Sequence, residues 1–450
     1  MSEAYHILLF CVIVSLFLGS LLFTYRGFKD ESSWFYMVFS FGILTNCLFS
    51  FTRSLLGDDD LEWLVGNSEA ILYYEITLIW LLFMIVGQVS VKGTQSIVRA
   101  AVHVSPLRLN ESKLERYMFW LSFAGASLGI LLSLIGVRGY FKDERYYYID
   151  NGWDGPISYL ISLTNAAFFI TVLVVYRDFG KIRFSHYLLV ASWMAAGMLS
   201  GYKSEMLFPV IFILLSSWLY GKTKVSHFVF AALAIVFAYS FIEPAREIAD
   251  KSRGQTSALA VSIDTVASGA GVKDGLVPAL LSRLDLTTTA VEVLEADALG
   301  QVESYKEAIR EHLNLLPLIA VVPRAMWPEK PVEDFGTKLS MDLTGNPLNS
   351  LTPSPQVAAH LTGGYLLVAV YAYLYGWCLS IASTILYEHH RHPTLYLPII
   401  LLAFALSAGD AYLSVYLVKV VRMLIALTFI YMIMRAFSSK PAEVRLGARS

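Results

Sequence analysis

Long apolar runs separated by short polar stretches dominate this chain. The runs fall at about 5–25, 34–52, 70–91, 117–137, 156–176, 184–201, 204–220, 225–242, 363–386, 394–409 and 412–435. Most approach the ~20 residues that a helix needs to cross a bilayer, with 184–201 and 394–409 on the short side. A segment inside lipid must satisfy every backbone N–H and C=O internally, and a helix does so within itself. The pattern therefore predicts an all-α polytopic membrane protein of about 11 transmembrane helices, interrupted by one large loop. It divides the chain into a bundle of about eight helices over 1–242, the loop over 243–362, about three further helices over 363–437 and a tail over 438–450.

Inside the loop the pattern changes. Residues Asp264 to Gly275 are small and polar and read as a joint. From Leu276 to Leu299 apolar positions recur at helical spacing around Arg283. Gln301 to Leu315 reads as an amphipathic helix with Glu303, Lys306, Glu307, Arg310 and Glu311 on its wet face. Leu315 to Val322 is apolar but too short to span, which suits a segment lying at the membrane surface. The eighth apolar run is expected to end at Glu243-Pro244, because proline breaks the helical ladder.

Composition agrees, with 56% hydrophobic and 16% charged residues. The net charge of −2 says little, because the distribution of charge matters more than its sum. The N-terminal Met-Ser-Glu-Ala-Tyr-His lacks Lys and Arg, so the first run is expected to be a spanning helix and not a cleaved signal. Cys11, Cys47 and Cys378 all lie in apolar runs and read as small core hydrophobes, not as a disulfide or metal set. The abundant Tyr and Phe suit lipid-facing surface and interfacial belts.

The connections sort by charge. Arg26, Lys29, Lys92, Arg99, Arg108, Lys113, Arg116, Arg177, Lys181, Arg183, Lys222, Lys224, Arg391, Arg435, Lys440, Arg445 and Arg449 give 17 cations on one side, against 5 on the other outside the long loop. By the positive-inside rule the first set is cytoplasmic, so the N-terminus and the loop 243–362 are expected outside and the C-terminus inside. In a bacterium that is the plasma (inner) membrane, with the loop periplasmic where there are two membranes.

On the outward side the sequence gathers Lys203, Arg246, Arg253, Arg283, Arg324, Lys330, Lys419 and Arg422, with few acids near them. Lys419 and Arg422 are three residues apart within the last run, where a charge is costly unless it faces protein or water. Such a surplus suits a polyanion at the membrane surface, and a lipid-linked diphosphate is the natural choice. Each cation also has a structural reading. Arg324 can pair with Glu329 or Glu333, Arg283 with Asp285, and Lys419 and Arg422 with Asp410. Lys203 and Arg246 can anchor to headgroups, and Lys330 can be a solvated loop charge. His389, His390 and His392 lie around Arg391 in a cytoplasmic turn and read as a solvated positive end. No Walker-type loop, nucleic-acid signature or internal repeat is evident.

The string Pro323-Arg-Ala-Met-Trp-Pro-Glu-Lys-Pro331, late in a large outer loop, resembles the bacterial oligosaccharide repeat-unit (O-antigen, Wzy-type) polymerases. So do the Gly201-Tyr-Lys203 step between two central runs, Arg246 just past a run, Arg283 before an apolar helix and a Gly/Tyr-rich re-entry helix ending near Tyr375-Gly376. Lys203 stands where such proteins often carry Arg, and a lysine lacks the planar bidentate grip on phosphate. The resemblance implies a membrane glycosyltransferase of GT-C-like architecture, moving a growing glycan from polyprenyl diphosphate to a hydroxyl of an incoming lipid-linked repeat unit. Such chemistry needs stabilisation of the leaving diphosphate and a group to take the acceptor's proton. Arg324, Arg283 and Arg246 are the candidates for the first role; His360, Asp410 and Glu205 are candidates for the second. Lys203, Arg253, Lys330, Lys419 and Arg422 are candidate substrate contacts. No metal or other cofactor is expected, and no nucleic acid. The expected partners are the lipid-linked oligosaccharide, the bilayer and a chain-length regulator. A ligase using the same donor, and a flippase for lipid-linked sugars, are the competing readings; inversion or retention at the anomeric carbon stays open.

Overall fold

The computed structural model describes residues 2–29, parts of 40–47, 68–90, 111–138, 154–252 apart from 202, 287–322, parts of 326–331, 335–345, 351–389 apart from 352, and positions 418, 421 and 425. Helices dominate these residues, and no strand occurs among them. In chain order they are α1 (Ser2–Lys29), α2 (Ser68–Ser90), α3 (Glu111–Leu134), α4 (Asp154–Phe179), α5 (Phe184–Ser200), α6 (Lys203–Leu219) and α7 (Val225–Ser252). Then come α8 (Thr287–Ala298), α9 (Glu303–Asn314), α10 (Leu316–Val321), α11 (Phe335–Thr344) and α12 (Pro355–His389). By length and composition, three segments among the described residues can cross a membrane: Ser68–Ser90, Glu115–Leu134 and Pro355–Ile381. Ile7–Phe23, Glu205–Trp218 and Val225–Ala238 are shorter apolar helices. The expected runs at 394–409 and, apart from isolated positions, 34–52 and 412–435 lie outside the described residues, as do the joint 264–275 and the tail 438–450.

Two expectations about helix ends are corrected. Pro244 does not end α7, which continues through it to Ser252. A proline removes one hydrogen bond, and in so long a helix the flanking ladder carries the chain past it. Of the segment expected to be helical from Leu276 to Leu299, residues 276–286 lie outside the described residues, and Thr287–Ala298 is helix α8. The re-entry helix is likewise longer than its apolar run, since α12 begins at Pro355. The expected boundary at 362/363 is a kink inside it, with Gly363 at φ −154°, ψ 22° and Gly364 at φ 64°, ψ −160°. The second of these conformations is open essentially to glycine alone.

One apolar core joins α1, α2 and α12 to the loop helices α8, α9 and α11, through Trp80, Leu81, Val291, Leu294, Tyr305, Phe335 and Val368 among others. The closest approach is between α2 and α12. A Cβ placed on Gly376 would lie 2.0 Å from the Met84 carbonyl oxygen, and one on Gly87 2.1 Å from that of Tyr373. Backbones approach this closely only where no side chain intervenes. Ser90 Oγ and Tyr373 Oη share a hydrogen bond of 3.0 Å beside the crossing, and the Trp80 and Tyr375 rings lie 5.9 Å apart.

A second core packs α3, α4, α5 and α6 around Phe168, Phe169, Trp193 and Phe212. Trp193 Nε1 donates to Ser122 Oγ at 2.9 Å, satisfying the indole within the apolar interior. Gly201, at φ 71°, closes α5 by donating its amide to the carbonyls of Gly197 and Met198, and the chain turns at once into α6. These four aromatic residues are buried, whereas Phe184 and Trp120 are exposed on helix faces. Of the cysteines, Cys47 is buried and Cys378 half-buried, but Cys11 is exposed on α1, so the interior reading fails there.

Candidate functional site

The amphipathic helix α9 forms as its periodicity predicts, except that Lys306 turns inward. In α9 the polar positions Glu303, Glu307, Arg310 and Glu311 are exposed, while Tyr305, Ala308 and Ile309 are buried. Lys306 Nζ donates to Asp297 Oδ1 at 2.8 Å and Glu303 Oε1 at 2.7 Å, tying α9 to the end of α8. These bonds hold the ammonium of Lys306 above its ordinary pKa, and the same contact lowers that of Glu303. Ser304 Oγ donates to Asp342 at 2.6 Å and anchors α11 to the start of α9.

Helix α10 is the short apolar segment of the loop, and Leu318 and Val321 are exposed on it. Its other side packs inward. Ile319 and Val418 are buried together, with Leu315, Leu316, Trp327 and Val421 against them. Trp327 belongs to the Pro323–Pro331 string, and Val418 and Val421 immediately precede Lys419 and Arg422 in sequence. Trp327 of the string therefore packs in the same cluster as positions 418 and 421.

Lys330 is buried, at 7% exposure, and is no solvated loop charge. Its Nζ donates to the carbonyls of Ile319 at 2.6 Å and Val322 at 2.9 Å. Carbonyls at a helix C-terminus lack intrahelical donors, and a cation is favourable there. Lys330 thus pins the end of α10. Lys330→Met should retain the aliphatic stem but lose both charge-assisted bonds, lowering stability by about 2 kcal/mol. Limited proteolysis should then cut between 316 and 331 faster than in wild type; unchanged cleavage would assign Lys330 no role in holding the loop.

The remaining candidates divide as follows. Lys203 is the first residue of α6, and Arg246 lies within the extension of α7. Arg253, Arg283, Arg324, Asp410, Lys419 and Arg422 lie outside the described residues. His360 is half-buried in the first segment of α12. Its ring centroid is 5.0 Å from that of Tyr365 in an edge-to-face arrangement, and its Nδ1 has no hydrogen-bond partner among the described residues.

Two constellations were not assembled from sequence. At the α5–α6 turn, Arg138 forms an ion pair with Glu205 Oε1. Ser200 Oγ donates to Glu205 Oε2 at 3.1 Å. Both charged side chains are largely buried, at 12% and 11% exposure. Glu205 had been a candidate base; both its oxygens already accept protein hydrogen bonds. The second constellation lies on α1, α2 and α12, where Tyr5 Oη donates to Glu75 Oε1 at 3.0 Å and Tyr365 Oη to Glu75 Oε2 at 2.8 Å. A lone carboxylate inside an apolar run was the available signal, since ionisable residues in such segments mark functional positions by default. No group of three or more metal-ligating side chains occurs among the described residues.

No family model, curated protein or solved structure matches this chain.

Proposed function

We propose that this protein is an oligosaccharide repeat-unit polymerase of the bacterial plasma membrane, acting at its outer face in the synthesis of a surface glycan. The reading rests on the sequence resemblance and is supported by one packing observation. Ile319, Trp327, Val418 and Val421 pack in one apolar cluster, so part of the loop string lies beside the positions that adjoin Lys419 and Arg422 in sequence. A transferase for lipid-linked diphosphates requires cations from loop and bundle to converge at the membrane surface.

In this mechanism a hydroxyl of the incoming unit attacks the anomeric carbon of the growing glycan. The bond from that carbon to the diphosphate oxygen breaks as the new glycosidic bond forms. The polyprenyl diphosphate leaves with the electron pair, and Arg324, Arg283 and Arg246 stabilise its developing charge. Lys203, Arg253, Lys330, Lys419 and Arg422 were the sequence candidates for holding it. Lys330 now has the structural role given above and acts through the loop. His360 or Asp410 takes the acceptor's proton. The remaining partners are the bilayer and a chain-length regulator.

The test is the surface-glycan ladder of a deletion strain complemented with wild type or Arg324→Ala at matched expression. Wild type should restore the ladder. Arg324→Ala should reduce polymerisation by about 100-fold or more, the scale for losing one transition-state donor, and leave single repeat units. A ladder unchanged by deletion removes the polymerase reading. Full-length unligated chains would indicate a ligase, and units trapped inside would indicate a flippase.

A further inference from the structure

Glu75 lies within α2, one of the helices long and apolar enough to cross a membrane, yet its carboxylate is not sealed in the interior. It receives one phenol from α1 and one from the far end of the chain, and both tyrosines remain open, at 42% and 41% exposure. An ionised carboxylate offers about four acceptor positions, and two phenols fill about half of them. Each phenolic oxygen, having donated its proton, keeps lone pairs of its own. The result is an accessible array of acceptors flanked by two partly open aromatic rings.

The kink in α12 completes the arrangement. Residues five apart on a straight helix point about 140° away from each other. The break at Gly363 and Gly364 instead brings the His360 ring edge-to-face against Tyr365. A buried imidazole nitrogen without a partner among the described residues, as at His360 Nδ1, is costly and points to a polar occupant nearby.

The chemistry selects among possible occupants. A phosphate or diphosphate would be repelled by Glu75. A lipid tail would leave the carboxylate's free acceptors unsatisfied. A sugar presents several hydroxyl donors to the acceptors and an apolar C–H face to the rings. We propose that Tyr5, Glu75 and Tyr365 form a binding site for a sugar of the glycan substrate, beside His360. This takes from the polymerase reading that the substrate is a glycan, and adds a locus for a neutral sugar apart from the cations that suit the diphosphate.

The experiment uses the full-length protein in nanodiscs of phosphatidylcholine. The probe is the oligosaccharide freed by mild acid from the surface glycan of the same strain, with binding measured by calorimetry. Wild type should bind it, and Glu75→Gln and Tyr365→Phe should each weaken binding by about tenfold or more while melting near wild type. If Glu75→Gln does not fold, Tyr5→Phe and Tyr365→Phe, which keep the carboxylate, decide the matter in the same way. Wild-type affinity in the variants, or no binding to wild type, overturns the site. So does binding that phosphatidylethanolamine abolishes in wild type but not in Glu75→Gln, which would give the carboxylate to the lipid's ammonium. The ladder assay separates the two proposals. Sugar binding that depends on Glu75 without any effect of deletion on the ladder retains this site and removes the polymerase. A ladder that needs the protein while Glu75→Gln binds as wild type does the reverse.

Discussion

Gly376→Val should prevent α2 and α12 from assembling. A Cβ at that position would meet the Met84 carbonyl oxygen at 2.0 Å and its carbon at 2.8 Å. These are backbone atoms of another helix and cannot rotate aside, so the helices must separate along their whole contact. Overpacking of a tight core costs about 1–3 kcal/mol where side chains can adjust. Here they cannot, and the loss should exceed about 3 kcal/mol. Since α8, α9 and α11 share the core of α2 and α12, the loop should lose its seat as well. Thermal unfolding in detergent, with Gly19→Ala as comparison, measures the effect. A Cβ on Gly19 meets nothing within 4 Å, so that variant should melt at or slightly above wild type. Equal melting of Gly376→Val and wild type would show that the crossing is looser than its geometry states.

The second large effect is expected at the α5–α6 turn. Glu205→Ala removes the carboxylate that pairs with Arg138 and accepts from Ser200. Deleting one partner of a largely buried ion pair leaves the other charge with its desolvation uncompensated, at a cost of about 3–5 kcal/mol. Arg138→Ala should cost a similar amount. The double variant should cost clearly less than the two together, because neither charge is then stranded. A double-mutant cycle on the unfolding free energy reads this coupling. Additive single effects would mean that the two side chains stabilise the protein independently. The pair joins the end of α3 to the turn leading into α6, so its loss should be felt between helices that share the second core.

Much of this protein's local structure was legible from residue order alone. The helix at 303–314 has Glu303, Glu307, Arg310 and Glu311 on the wet face where periodicity places them, although Lys306 is turned onto Asp297 and Glu303. Local rules also misled. Pro244 reads as a stop, yet the cooperative ladder of α7 runs through it. Lys330 reads as a loop charge, yet the fold turns it inward onto the carbonyls of α10. Glu75 was overlooked because its meaning depends on Tyr5 and Tyr365, 70 and 290 residues away in sequence.

The division has a physical cause. Whether a segment is helical depends on hydrogen bonds between residues four apart and on the period at which apolar side chains recur, and both are written within a few turns of sequence. From that information follow the all-helical character, the apolar lengths sufficient to cross a membrane and the amphipathic loop helix. Which helices touch depends instead on how their surfaces fit. The reciprocal glycines of α2 and α12, the pairing of Arg138 with Glu205 and the three-helix meeting at Glu75 exist only after packing. Sequence order carries the charges and the clefts, but only the tertiary structure decides which of them face one another.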